Sequence, residues 1–305
     1  MRMLILRLAQ IGDSLITFPI IRALREKYPD PHITYVGNSA VLPIAQDWGL
    51  AEEVYAQGRL EYEKPMAEEM IRSSKWLPLL QQSDLVIYWL LYQDMDGHAG
   101  KDMLAAGAKK VIIVDGFPQV DLSKHWMETM AAGAGFPDLR ADNVAPFTPL
   151  KQASEFCMFD PPVAIHPGCS DEERTWPAAS FAAIINRLLR LQQPVLLLAG
   201  PDDDEQLQLV RKHLLPAPKP GLLTILRNAP IVEVARQIKK CKCYLGNDSG
   251  MTHLAALLGV PTIALFLPDF VTTMHPLGPA VEIIQARNLA RLSVERVLDS
   301  IQKYV

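Results

Sequence analysis

Cysteine is scarce in this chain. Its four cysteines, Cys157, Cys169, Cys241 and Cys243, are too few and too scattered for a disulfide framework. Cys241 and Cys243 stand two apart on an expected strand and share a face. The further ligands a metal pair needs are missing, so both read as small buried residues. No cluster of Asp, Glu and His has metal-ligand spacing either, and no bound metal is expected. Long apolar runs are also lacking. The N-terminal stretch is too short for a signal-peptide core and Arg7 interrupts it. The most apolar window, His253 to Leu267, contains Gly259 and Pro261 and is too short to span a bilayer. A reduced, cytoplasmic location is the expectation. The first βα turn carries no G-x-G-x-x-G, which weakens a dinucleotide reading. No G-x-S-x-G elbow surrounds Ser249, which argues against a serine hydrolase built on Ser249 and His253. Charge shows no excess: 30 Lys and Arg stand against 34 Asp and Glu, a net of −4, and no nucleic-acid partner is expected.

What is present is alternation. A chain of 305 residues is long for one core and comfortable for two domains of about 150 residues each. Its apolar and charged fractions, 49% and 21%, are those of a globular protein. Met3–Leu8, His32–Gly37, Glu53–Ala56, Asp84–Leu91 and Lys110–Asp115 read as strands. Helices are predicted between and after them over Ser14–Lys27, Ser39–Asp47, Met66–Leu80, Lys101–Ala108 and Leu122–Gly135. From Pro137 to Pro162 five prolines break the pattern and mark a connector. Alternation then restarts at Val163 and runs to a terminal helix over Leu292–Lys303. The expected class is α/β, with two doubly wound Rossmann-like domains, residues 1–155 and 156–305, facing a central cleft. The terminal helix is left free to pack back on the first domain.

The second half is organised around Asn247-Asp248-Ser249-Gly250-Met251-Thr252-His253, continuing to Gly259-Val260-Pro261. An apolar strand precedes it and another, Thr262–Phe266, follows. Asp248 and Ser249 suit a helix N-cap, and Gly250 permits close backbone approach at the first turn. A strand, a tight turn and a helix start together offer backbone N–H groups and a positive dipole end to an anion, diphosphates in particular. An ordinary capped helix fits the same residues. His253, one turn in, is placed to point at whatever occupies the helix start.

Asp-Ser-Gly-x-x-His-x-Ala-Ala-x-x-Gly-x-Pro, as it stands from Asp248 to Pro261, resembles the donor-site signature of the heptosyltransferase family of bacterial glycosyltransferases, family 9. Two further segments agree. Gly12-Asp13, followed by Pro19, Leu24 and Tyr28-Pro29, is similar to the family's N-terminal motif, in which the aspartate is regarded as the base that deprotonates the acceptor hydroxyl. From the residues alone, Asp13 serves equally as a cap for the helix after it. His166-Pro167-Gly168-Cys169-Ser170, leading through Arg174 to Trp176-Pro177, resembles the family segment whose basic residue faces the donor diphosphate. Arg174 stands where lysine is usual, and arginine can hold phosphate bidentately. Ser170 is a candidate hydrogen-bond donor to phosphate, while Glu172 or Glu173 would be ordinary surface partners for Arg174. Among the acids after Gly200, only Glu205 is a candidate for a ribose hydroxyl. Leu265–Phe270 departs from the family, whose members commonly carry Gly and Thr there.

The resemblance implies a GT-B enzyme that transfers a heptose-like sugar with inversion and without a metal or other cofactor. Its donor would be a nucleotide-sugar such as ADP-heptose, bound by Ser170, Arg174, Asp248, Ser249, Gly250, Met251 and His253. Its acceptor would be a lipopolysaccharide core or another glycan or glycolipid, met beside Gly12 and Asp13, with peripheral contact to the inner-membrane surface left open. A nucleotide-sugar epimerase of the same fold and a non-catalytic sugar-nucleotide-binding protein are the alternatives. Residues 1–155 hold 15 Lys and Arg against 20 Asp and Glu, which favours a neutral or weakly anionic acceptor. Arg7, Arg22, Arg25, Lys101 and Lys124 are the cations that could line a basic patch there.

Overall fold

The computed structural model describes residues 1–56, 72, 76–90, 98–116, 122–150, 160–216 and 219–305. The chain divides into two compact units, Met1–Ala141 and Asp142–Val305. This division falls earlier than the 155/156 boundary expected from the prolines. The first part of the connector belongs with the second unit: the Phe147 N–H donates to the Leu257 carbonyl at 2.7 Å, and the Phe147 ring is buried. Residues 151–159, with Cys157, lie outside the described residues.

The first unit is a parallel sheet in the order β3-β2-β1-β4-β5. Its strands are β1 (Arg2–Arg7), β2 (His32–Gly37), β3 (Glu53–Ala56), β4 (Leu85–Leu90) and β5 (Val111–Asp115). Near-continuous apolar runs such as Met3–Leu6 fit a sheet covered on both faces, and those four residues are buried. The helix expected over Ser14–Lys27 is two helices, α1 (Ile11–Leu15) and α2 (Phe18–Lys27). Pro19 explains the break. It has no N–H to donate, and its ring would meet the Leu15 carbonyl in a continuous helix. The break is closed by Thr17, whose Oγ1 donates to the Ser14 carbonyl at 2.7 Å. α3 spans Leu42–Asp47, α4 Leu77–Gln82, α5 His98–Ala105 and α6 Trp126–Gly133. Most of the helix expected over Met66–Leu80 lies outside the described residues. α5 stops three residues before its expected end, ahead of Gly107 in a left-handed conformation (φ 112°).

The second unit carries six parallel strands in the order β11-β10-β9-β6-β7-β8. They are β6 (Val163–His166), β7 (Val195–Ala199), β8 (Leu223–Arg227), β9 (Cys243–Asn247), β10 (Thr262–Phe266) and β11 (Val281–Gln285). Helices α7 (Ala178–Arg190), α8 (Asp204–His213), α9 (Ile231–Ile238) and α10 (Gly250–Leu257) fall where alternation predicts them. α11 (Pro268–Met274) falls where the sequence suggests a loop, with Pro268 at its first position, where a missing N–H costs nothing. The terminal helix α12 (Val294–Ile301) packs on its own unit: Val297 and Ile301 are buried in the core shared with β6, β7, α7 and β10. Cys241 and Cys243 are buried as expected, and burial pushes both thiols up to about 12. Among the described residues no helix is long and apolar enough to cross a membrane.

Strand order reverses between β1 and β4 in one sheet and between β6 and β9 in the other. At such a point the loops leaving the strands diverge, and the carboxyl ends open a crevice for ligand. The chain leaving β1 enters α1, which carries Gly12 and Asp13 in its first turn. The loops after β6 and β9, with the start of α10, carry the other sequence-predicted residues.

Candidate functional site

In the second unit, β6 and β9 run side by side with His166 opposite Gly246, so their following loops start together. Asn247, the last residue of β9, ties them. Its Nδ2 donates to the Pro167 carbonyl at 2.9 Å and its Oδ1 accepts from the Trp176 N–H at 2.9 Å. Trp176 is fully buried, donates from Nε1 to the Leu292 carbonyl at 3.1 Å and meets Phe181 edge-on. A second tie is Cys169, whose Sγ lies 3.3 Å from the Asp248 carbonyl. Both turns are therefore anchored in the core before any ligand arrives.

Arg174 stands over this junction. The turn from Asp171 aims it: the Asp171 carbonyl accepts from the Arg174 N–H (3.2 Å) and from Thr175 Oγ1 (2.7 Å). Arg174 Nη1 donates to Asp248 Oδ2 at 3.0 Å and Nε to Asp171 Oδ2 at 3.2 Å. It is ion-paired with these two acids rather than with exposed Glu172 and Glu173. Burial alone would lower the guanidinium pKa, but the charge and hydrogen bond of Asp248, with Cys169 and Asp171, together outweigh it, so Arg174 stays a cation. Its guanidinium also lies over the Phe270 ring at 5.7 Å, the residue that departs from the resemblance.

Ser249 occupies the N-cap of α10 but makes no side-chain cap hydrogen bond. Its hydroxyl lies 3.3 Å from Thr252 Oγ1 instead. The first-turn N–H groups at Gly250 and Met251, both partly exposed, are thus left uncapped by Ser249. An uncapped helix start beside a guanidinium is suited to a dianion. Ser170 is exposed at the neighbouring loop tip. His253, expected to point at whatever occupies the helix start, lies inside against Asp248. It is 2% exposed, with Nε2 4.0 Å from Asp248 Oδ1. Burial pushes its pKa down to about 4, Asp248 opposing and His275 adding, so it is a neutral wall behind Asp248. Asp203 is held apart from this cluster. It accepts from the Gly200 N–H and pairs with His166 Nε2 at 2.9 Å, and a Cβ on Gly168 would run into its carboxylate. Burial raises the Asp203 pKa, but the His166 hydrogen bond and charge lower it further. Glu205 is exposed in the first turn of α8, beside Asp204, which is bound to Arg227.

In the first unit, Gln10 is the N-cap residue of α1 and Thr17 that of α2, so Asp13 caps neither. It sits partly exposed within α1, next to Gly12. Of the cations considered for this unit's surface, Arg7 lies inside it, fully buried, and Arg25 is engaged with Glu52 at 2.7 Å.

The sequence model of glycosyltransferase family 9 (heptosyltransferase) matches residues 120–304, which include both loops of the second-unit cluster. The chain belongs to that family. As a family 9 glycosyltransferase it is an enzyme, which sets aside the epimerase and the non-catalytic binding protein. It is 23% identical to lipopolysaccharide heptosyltransferase 3 of Escherichia coli, over 84% of this chain and 80% of that one. Its structure resembles that of E. coli ADP-heptose LPS heptosyltransferase II, with a TM-score of 0.77 at 18% identity over 100% and 98% of the two chains. It also resembles E. coli heptosyltransferase WaaC with ADP, with a TM-score of 0.75 at 16% identity over the whole of both. The two Rossmann-like units are those of the GT-B fold.

Three residues were not assigned a role from sequence, Asn247 and Phe270 in the second unit and Arg7 in the first. Asn247 opened the organising stretch, yet its clasp depends on Pro167 and Trp176, far away in the chain. Phe270 was visible only as a departure. Arg7 looked like a surface cation, although an arginine ending a strand of buried residues was itself a signal of an interior role.

Proposed function

We propose that this family 9 enzyme transfers a heptose-like sugar from a nucleoside-diphosphate donor, ADP-heptose in particular, to a glycan or glycolipid acceptor of lipopolysaccharide. The observation that carries this reading is the uncapped start of α10 beside Arg174, which together offer a fixed positive field to a diphosphate. The E. coli relatives named for heptose transfer, and the one solved with ADP, support the same donor.

In this reading the donor diphosphate lies against Gly250, Met251, Ser249 and Ser170, with Arg174 as its cation and Asp248 backed by His253 orienting that cation. The acceptor is met beside Gly12 by the first unit. Asp13 takes the proton of the acceptor hydroxyl as its oxygen attacks the anomeric carbon, and the C–O bond to the diphosphate breaks with inversion. Negative charge builds on the departing nucleoside diphosphate. Arg174 and the helix start meet it without a metal. The work is done at the cytoplasmic face of the inner membrane, where such acceptors are built.

The test is incubation of the purified enzyme with ADP-heptose and a panel of core glycans in EDTA, followed by product mass and the anomeric configuration by NMR. A heptosylated product of inverted configuration is expected. Asp13→Asn should lower turnover by roughly 10²–10⁴ with donor affinity kept. ADP-heptose binding without transfer to any glycan, or transfer that disappears in EDTA and returns with a divalent cation, would overturn the corresponding part.

A further inference from the structure

Arg7 is the last residue of β1, and its whole side chain is buried. Taking a guanidinium out of water is costly unless its donors are met. Here Nε and Nη2 turn to backbone carbonyls at the crevice end of the sheet. Nη2 donates to the Gly116 carbonyl at 3.1 Å, and Nε and Nη2 share the Asp13 carbonyl at 3.3 Å each. Gly116 follows β5 directly and holds its place by donating its N–H to the Leu90 carbonyl. A Cβ there would strike the Arg7 guanidinium and the Leu90 carbonyl together, so glycine leaves the room the arginine fills. One side chain thus fastens the β1–α1 turn to the end of a strand more than a hundred residues away.

The fastening is also electrostatic. Among the described residues, the charged or titratable groups that face Arg7 include Asp13 on α1, Tyr35 on β2 and Asp115 at the end of β5. Burial lowers the Arg7 pKa, and all three oppose that. An arginine remains protonated under such conditions. Burial pushes Tyr35 up to about 12, so its phenol is neutral. Among the described residues, the carboxylates the buried cation acts on include Asp13 and Asp115. Screening by water is weak at a fully buried charge.

We infer that Arg7 is a positioning residue for Asp13: it clamps the Asp13 backbone at the mouth of the first-unit crevice and holds the Asp13 side chain in its ionised form. This inference rests on the reading of Asp13 as the proton acceptor. A base must be unprotonated and fixed before the hydroxyl arrives, and a buried guanidinium does both without blocking the carboxylate. It also explains why a cation lies in the interior of a unit whose net charge is negative.

The experiment is a carboxyl ¹³C NMR titration of the full chain labelled at aspartate. The Asp13 resonance is assigned as the one lost in Asp13→Asn. In Arg7→Met, and in Arg7→Gln, which keeps an amide donor but no charge, its midpoint should rise by about one pH unit or more. Arg7→Lys should restore most of the wild-type midpoint, and the acid limb of the transfer profile should follow the same order. Where the methionine variant fails to fold, the glutamine variant carries the comparison. An unchanged Asp13 midpoint in folded Arg7→Gln would overturn the inference, leaving Arg7 a structural tie only. Transfer that survives Asp13→Asn would instead sink the proton-acceptor reading, and Arg7's part in the reaction with it, even if the midpoint had moved.

Discussion

Arg174 Nη1 donates to Asp248 Oδ2 across 3.0 Å, joining two loops whose residues are 74 apart in the chain. The pair is part-buried, with Asp248 far less exposed than Arg174 (8% against 26%). Asp248 therefore acts as the fixed member and Arg174 as the one that can turn its remaining donors to a ligand. Asp171 on one side and the Phe270 ring on the other limit where it can go.

Removing that cation should weaken anion binding. Arg174→Ala should raise the Kd for ADP by roughly 10- to 100-fold, the worth of one charge-assisted contact, and Arg174→Lys should recover part of it. Isothermal titration calorimetry with ADP measures both. An alanine variant with wild-type affinity would leave Arg174 only a partner for Asp248.

The Asn247 clasp makes a prediction about stability. Asn247→Ala leaves the buried Trp176 N–H and Pro167 carbonyl without their partner, at a cost of about 2–4 kcal/mol. Thermal unfolding should shift down by roughly 5–15 °C. A melting temperature within a degree or two of wild type would mean that the two loops find other partners.

His253 predicts a pH dependence. Its folded pKa, about 4, lies below the ordinary histidine value of 6.5. Above 6.5 it is neutral in both states and costs nothing. As pH falls from 6.5 towards 4, the unfolded chain takes up a proton that the folded one refuses, and stability declines by roughly 3 kcal/mol. Asp203, also lowered, adds a loss further down, through the carboxylate range. Denaturant unfolding at several pH values should show the decline, and His253→Gln should flatten it between pH 6.5 and 4. An equal slope in both proteins would assign the acid sensitivity elsewhere.

The acceptor should be neutral or weakly anionic, because the first unit carries more acid than base, with Arg7 in the interior and Arg25 engaged by Glu52. Transfer rate measured against ionic strength decides it. A nearly flat profile is expected, and a rate that falls steeply with added salt would reveal steering of a polyanion by a basic patch.

The order of strands and helices was legible because it rests on local pattern. Apolar runs of four to six residues with turn residues between them announce buried parallel strands wherever they occur. The stretch from Asp248 to Pro261 announced the family for a similar reason, since a strand, a tight turn and a helix start are consecutive in the chain. Pro19 is a local signal of the same kind: proline chemistry alone accounts for the break between α1 and α2. What local pattern could not supply is which atoms meet at the strand ends. Arg7 and Arg174 are the same residue type, and both follow or end an expected strand. One lies in the interior because the carbonyls of Asp13 and Gly116, the latter 109 residues away, arrive to accept its donors. The other stays partly in solvent because the acids that meet it leave one side open. His253 is likewise buried and neutral behind Asp248, since burial depends on the neighbouring elements packed over the helix. Those differences depend on the free energy of desolvating a polar group, and that is decided by neighbours that only the folded chain brings together.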